Sequence, residues 1–226
     1  GHTMTINAVL IDLDGTLVDS IPDLAHAANA MRLELGMHTL GQDVIASFVG
    51  KGIDNLITRT INASLDNEEL PPEVFNQARE IFVRHYHLVN GDASTVYPGV
   101  IDGLKAMKAQ GLKLAVVTNK DEAFTLPLLT QTGLIGFFDT VVSGDTCARK
   151  KPHPEPLLYA CEKLGYPPEN SVFIGDSIND VQAAQAAGMP VLILPYGYNE
   201  GNSVQTLKVD AIIDSMTGAA QWLANQ

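Results

Sequence analysis

Apolar positions along the chain follow two rhythms. Short, nearly unbroken apolar runs occur at residues 8–13, 113–117, 140–143, 171–174, 191–194 and 211–213. Each is too short for a helix and ends in glycine or polar residues, so each predicts a buried strand. Between the runs, apolar residues recur every three or four positions, which predicts amphipathic helices. Leu17, Ile21, Leu24, Ala28 and Met31 form the first such series, with Ser20 as cap, Pro22 in the first turn and Gly36 at the end. Two helical pieces within 43–64 break at Gly50-Lys51-Gly52, a polar loop covers 67–72, and Val74, Ala78, Ile81, Phe82 and Tyr86 predict a helix over 72–88. Further helices are expected at 100–110, 122–132, 155–164, 178–187 and from 216.

Alternating strands and helices with short apolar strands imply an α/β fold, a doubly wound, Rossmann-like parallel sheet. The all-helical stretch after the first strand is far longer than an ordinary connection, so it reads as an insertion of domain size. The expected division is a core of residues 4–18 and 92–226 and a helical insert of 19–91. Gly1-His2-Thr3 ahead of Met4 reads as an expression remnant and is set aside.

Composition narrows the function. The 226 residues are 46% hydrophobic and 18% charged, with a net charge of -12. That charge argues against nucleic acid or an anionic membrane as main partner, but leaves room for a small phosphorylated metabolite held by local cations. Cys147 and Cys161 lie far apart in no C-x-x-C pattern. With no bilayer-spanning run and no signal peptide, the expectation is a reduced, cytoplasmic protein.

In doubly wound sheets, ligands sit beyond the carboxyl ends of the strands. Four polar clusters fall there: Asp12 and Asp14, Thr118 and Asn119, Lys151, and Asp176 with Asp180. A buried strand that ends in two carboxylates needs compensation for their desolvation. A plainer reading makes Asp14-Gly15 a turn, Asp12 a satisfied core acid, Thr118 a cap, Lys151 a solvated lysine, and 175–180 a helix start. Against it, Asp12, Asp176 and the backbone carbonyl of Asp14 offer oxygen-only ligands that suit Mg2+ better than Zn2+. Thr118 and Lys151 are placed to hold phosphate oxygens, with Asn119 beside them. Asp180 lies on the helix face of Asp176.

Asp12-Leu13-Asp14-Gly15-Thr16, Thr118-Asn119, Lys151-Pro152 and Gly175-Asp176-Ser177-Ile178-Asn179-Asp180 resemble, in order, the four motifs of the haloacid dehalogenase-like hydrolases (the HAD superfamily). The resemblance covers the whole chain, and the insert falls where that family carries an α-helical cap. It implies Asp12 as nucleophile forming an aspartyl-phosphate, and Asp14 as acid and then base. It further implies Thr118 and Lys151 on the phosphoryl group, Asp176 on Mg2+, and Asp180 supporting the metal directly or from behind. Asp14 argues for phosphoryl transfer rather than dehalogenation. Residues 150–157 and 196–201 are similar to the bacterial phosphoglycolate phosphatase subgroup, which implies 2-phosphoglycolate as substrate. Val49-Gly50-Lys51-Gly52 resembles a specificity loop in which Lys51 meets a substrate carboxylate; an interhelical turn with a solvated Lys51 fits equally well. A sugar phosphomutase on the same rim, a receiver-type phosphoacceptor module, and either a monomer or a homodimer remain open.

Overall fold

The computed structural model describes residues 4–66 and 68–226. Gly1-His2-Thr3, expected to be an expression remnant, and Asn67 of the expected polar loop lie outside them. The chain opens with β1 (Ala8–Ile11) and then makes a two-residue strand, β2 (Val18–Asp19). Four helices follow: α1 (Ile21–Glu34), α2 (Gln42–Ser47), α3 (Ile53–Asn62) and α4 (Pro72–Val89). The chain returns through β3 (Thr95–Val96) and continues as α5 (Val100–Ala109), β4 (Lys113–Val117), α6 (Glu122–Gln131) and β5 (Thr140–Val142). It ends with α7 (Glu155–Leu164), β6 (Ser171–Gly175), α8 (Ile178–Ala187), β7 (Val191–Ile193), β8 (Ala211–Ile212) and α9 (Met216–Ala224).

Six of these strands form one sheet in the order β5-β4-β1-β6-β7-β8, with every pair parallel. The expected doubly wound α/β architecture is thus the observed one. The strands are apolar on both sides because both faces are covered. Val9 and Ile11 pack with Leu114, Val116 and Ile174 beneath α5 and α9. Leu10 points the other way, with Val117 and Phe173 beneath α7 and α8. The order reverses at β1, between β4 and β6, and that is where a doubly wound sheet opens its ligand crevice.

Helices α1 to α4 bury a separate apolar cluster that includes Leu24, Met31, Ile57, Phe82 and Tyr86, with Phe124 of α6 joining it. Where the chain leaves and re-enters the sheet, β2 and β3 pair antiparallel, Val18 opposite Val96 and Asp19 opposite Thr95. Asp23 adds a second tie by accepting from the Ala93 amide (3.0 Å) and the Ser94 hydroxyl (2.7 Å). Strands of two residues are too short to show a periodicity, so the sequence pattern did not predict them.

Two local expectations are corrected. β1 stops at Ile11 rather than residue 13, because the chain turns: the Leu13 carbonyl accepts from the amides of Thr16, Leu17 and Val18. Ser20 does precede α1, but its hydroxyl caps nothing and donates to Asp14 instead. Among the described residues no helix is long and apolar enough to cross a membrane.

Candidate active site

The strand ends carry the polar rim. Asp12 follows β1, and its amide extends the ladder by donating to the Ile174 carbonyl at 3.0 Å. Asp176 follows β6, Thr118 follows β4, and Lys151 sits in the loop between β5 and α7. One carboxylate oxygen from each of Asp12, Asp176 and Asp180 lies within 4.8 Å of the others. Lys151 lies against this cluster, its Nζ 3.1 Å from Asp12 Oδ1 and 2.7 Å from Asp180 Oδ1. Its side chain is almost fully buried, with the ammonium 5.0 Å from the centre of the Phe173 ring.

Each acid is held differently. Asp176 accepts from the Thr16 hydroxyl at 3.0 Å and from the Tyr198 amide at 2.7 Å. Asp180 completes a capping box with Ser177 at the start of α8. Its Oδ2 accepts from the amides of Asp176 (2.9 Å) and Ser177 (3.3 Å), while Oδ1 takes the Lys151 ammonium. Both Asp180 oxygens are therefore already engaged by the protein. Asp12 Oδ1 accepts from the Leu13 amide at 2.7 Å as well as from Lys151. Asp14 Oδ1 accepts from the Ser20 hydroxyl at 2.5 Å and from the Lys120 ammonium at 2.7 Å, and Oδ2 has no partner among the described residues.

Close backbone approach makes the cluster possible. Gly15 has φ +83°, and a Cβ there would stand 2.1 Å from Asp176 Oδ2. At Gly175 a Cβ would stand 2.2 Å from Asp180 Oδ2, an atom pinned by two amides. Gly175→Ala is therefore expected to lower the unfolding free energy by about 1–3 kcal/mol, the usual cost of overpacking a tight interior. Denaturant titration checks this, and an unchanged midpoint would show that the α8 start can shift.

Burial and like charge shape the acids' proton affinity. Asp12 is raised to about 7, first by burial, then by the Asp180 charge, against the opposing pull of Lys151. Asp176 is raised well above the ordinary carboxylate range by burial and by Asp12. A carboxyl raised on folding binds protons that the unfolded chain releases, here between about pH 4 and about pH 7. Its stabilising contribution is complete below that window and is lost as pH rises through it. In chelator, the melting temperature of the wild type is expected to fall from pH 5 to pH 8 more steeply than that of Asp12→Asn; parallel curves would contradict the raised carboxyl.

The helical insert closes over this rim. Leu24, Val49, Gly50, Gly52, Ile53 and Leu56 face Asp12, Asp14, Thr118, Asn119 and Lys120 across a cavity of about 30 Å³, room for two or three waters. The model of the haloacid dehalogenase-like hydrolases matches residues 9–194, a span that begins in β1, ends just after β7 and contains every rim residue. The chain belongs to the haloacid dehalogenase-like hydrolase family. Similar members include the phosphoglycolate phosphatase of Nitrosospira multiformis, 48% identical over 220 residues that span 97% of this chain and 96% of the relative. That of Thiobacillus denitrificans is 46% identical over 217 residues, 96% of this chain and 95% of its own. A crystal structure from Haemophilus somnus 129PT, described as a predicted phosphoglycolate phosphatase, superposes with a TM-score of 0.91 at 35% identity, covering all of both chains.

Two residues expected at the substrate have partners within the protein. Lys51, read either as a substrate contact or as a solvated lysine in an interhelical turn, has its Nζ 3.7 Å from Glu200 Oε1, and its neighbours Gly50, Gly52 and Ile53 line the cavity. Glu200 also accepts from the buried Arg59 at 3.1 Å. The side-chain amide of Asn119, expected on phosphate, is bonded to backbone. Its Nδ2 donates to the carbonyls of Gly50 and Lys151, both at 2.9 Å, and its Oδ1 accepts from the Lys151 amide at 2.9 Å. Asn119 thus sets the Lys151 loop and ties it to the insert. Thr118 is buried at the cavity wall, where its hydroxyl accepts from the Lys120 amide at 3.1 Å.

Four side chains of the site had no part in its expected chemistry. Thr16 holds Asp176, and Ser20, expected only as a helix cap, holds Asp14. Tyr198 donates its hydroxyl to Asp19 at 2.7 Å, tying the 196–201 loop to β2. Lys120 reaches Asp14 from the end of β4. Thr16 and Tyr198 stood inside quoted motifs, and Lys120 is a cation directly after the Thr118-Asn119 pair.

Proposed function

We propose that the chain is a Mg2+-dependent phosphatase that hydrolyses a small phosphorylated metabolite, 2-phosphoglycolate, through an aspartyl-phosphate on Asp12. The observation that carries the reading is the convergence of Asp12, Asp176 and Asp180, with Lys151 paired to Asp12 and Asp180, beside a cavity that Asp12 and Asp14 line. The names and high identity of the relatives support the substrate.

The donor set fits a hard dication. It is oxygen-only, and the acids are crowded enough that burial and mutual repulsion push Asp12 and Asp176 towards the neutral form, which a cation relieves. Asp12, Asp176 and the Asp14 carbonyl would hold Mg2+, with Asp180 supporting from behind through the Asp176 amide and Lys151. When bound, Mg2+ neutralises phosphoryl charge so that a carboxylate can approach phosphorus.

The chain's own groups do the rest. A carboxylate oxygen of Asp12 bonds to phosphorus as the bond to the glycolate oxygen breaks. That oxygen keeps the electron pair and takes the proton from Asp14 Oδ2. Water then attacks the phosphorus, gives its proton to Asp14, and releases Asp12 with phosphate. The Lys151 ammonium holds a phosphoryl oxygen beside Asp12, and the Thr118 hydroxyl another. Residues 19–91 act as a cap whose apolar wall excludes water, and residues 4–18 and 92–226 as the core that holds the chemistry. The small cavity between cap and rim suits a small substrate.

Phosphate release with Mg2+ from 2-phosphoglycolate, a hexose phosphate, a nucleoside monophosphate and p-nitrophenyl phosphate tests this. Strong preference for 2-phosphoglycolate, lost on chelation, is the expected result. Release from none of them would overturn it.

A further inference from the structure

Lys120 is a buried cation placed between the core and the helical insert. Its Nζ donates to Asp14 Oδ1 at 2.7 Å and to the hydroxyl of Tyr86, on α4, at 2.5 Å. The ammonium also lies 4.9 Å from the centre of the Tyr86 ring. Tyr86 is itself fully buried, stacked between Phe82 and Phe124 with ring centres 5.6 and 4.9 Å away. The backbone of Lys120 is pinned as well: its carbonyl accepts from the Gly144 amide at 2.7 Å and the Thr125 hydroxyl at 3.0 Å. Burial works against the charge on Lys120, but Asp14 and Tyr86 outweigh it and keep the ammonium protonated.

We propose that Lys120 is the positioning residue of Asp14, and that Tyr86 completes its setting only while the insert is seated on the core. The proposal rests on the reading of Asp14 as proton donor given above. Its physical content is an asymmetry. Asp14 Oδ1 is anchored twice, by Lys120 and Ser20, which restrains rotation of the carboxyl and leaves Oδ2 without a partner among the described residues, in a residue that lines the cavity. A proton donor fixed in this way works at a fraction of the entropic cost of a freely rotating one. Tyr86 comes from the insert, so lifting the insert removes one of the two hydrogen-bond partners of Lys120. The ammonium is then free to follow the tyrosine or the solvent, and Asp14 keeps only Ser20 of its two anchors. Proton donation thereby becomes coupled to cap seating, through side chains that need not touch the substrate.

The test compares two small substrates that differ in their need for a proton. In the first half-reaction 2-phosphoglycolate loses an alkoxide, which must be protonated as the P–O bond breaks. Acetyl phosphate loses acetate, which leaves as a stable anion. Leaving-group release is followed in a single turnover with Mg2+ and enzyme in excess, so the later water attack does not enter the rate. In Lys120→Met we expect a fall of about 100-fold or more on 2-phosphoglycolate and of less than about 10-fold on acetyl phosphate, the scale of a lost general acid. Tyr86→Phe is expected to show the same selectivity at about a tenth of the size. Equal falls on both substrates, or weaker binding with unchanged rates, would assign Lys120 to packing or phosphate binding and overturn the proposal. If Lys120→Met does not fold, Tyr86→Phe decides alone, since a selective loss supports the coupling and an equal or absent loss overturns it. A wild type that releases neither leaving group would instead overturn the phosphatase reading, and the proposal with it.

Discussion

Asp12→Asn protein is expected to lose about 10⁴-fold or more in phosphate release while melting higher than the wild type in chelator above pH 7. The two effects have opposite signs because one carboxylate causes both. As the proposed nucleophile, its removal leaves no group to accept phosphorus, and loss of a covalent catalyst costs several orders of magnitude. As a buried charge beside Asp176 and Asp180, it is repelled by both, and Lys151 offsets that only in part. An amide keeps the shape, removes the repulsion and leaves Lys151 its bond to Asp180. Comparing turnover and melting temperature on the same preparation checks the pair. Lost activity without the gain in stability would mean that Lys151 already balances the acids; retained activity would remove Asp12 from the chemistry.

Lys151→Met is expected to destabilise the metal-free protein by about 3–5 kcal/mol, the cost of breaking a buried ion pair by removing one partner. Lys151 is the one cation within 4 Å of the Asp12 and Asp180 carboxylates among the described residues, and it is almost fully buried. Without it, three buried acids face one another with only hydrogen bonds to compensate. Phosphate release should also fall by about 100-fold or more, because the cation proposed to hold the phosphoryl group is lost from a buried site. Mg2+ should restore part of the stability, by about 2.7 kcal/mol at one hundred times its dissociation constant, and none of the activity. Chemical denaturation with and without Mg2+ measures both, and a midpoint unmoved by the substitution would show that the acids are neutral in the folded protein and need no counter-charge.

The parts of this molecule that could be read from the sequence are those with a repeating physical cause. Val9, Leu10 and Ile11 alternate between two covered faces, so the run reads as a parallel strand. Asp12, Thr118 and Asp176 all follow strands, so a doubly wound topology brings them to one edge. What could not be read depends on contacts between distant residues. The bonds of the Asn119 amide to the carbonyls of Gly50 and Lys151 are of this kind. So is the approach of Glu200 to Lys51 from a distant part of the chain. Ser20 reads as a helix cap because local rules favour one, but the Asp14 carboxylate is the stronger acceptor. Lys120 and Tyr86 are separated by 34 positions, so nothing local links them.

The central claim, that Asp12 carries the phosphoryl group, is tested most directly by trapping. Wild-type protein is mixed with Mg2+ and 2-phosphoglycolate, quenched in acid within the first turnover, reduced with borohydride and mapped by peptide mass spectrometry. Reduction of an aspartyl-phosphate leaves homoserine, and the account predicts it at position 12 and nowhere else, absent without Mg2+. Homoserine at Asp14 or Asp176, or rapid phosphate release with position 12 untouched, would contradict it.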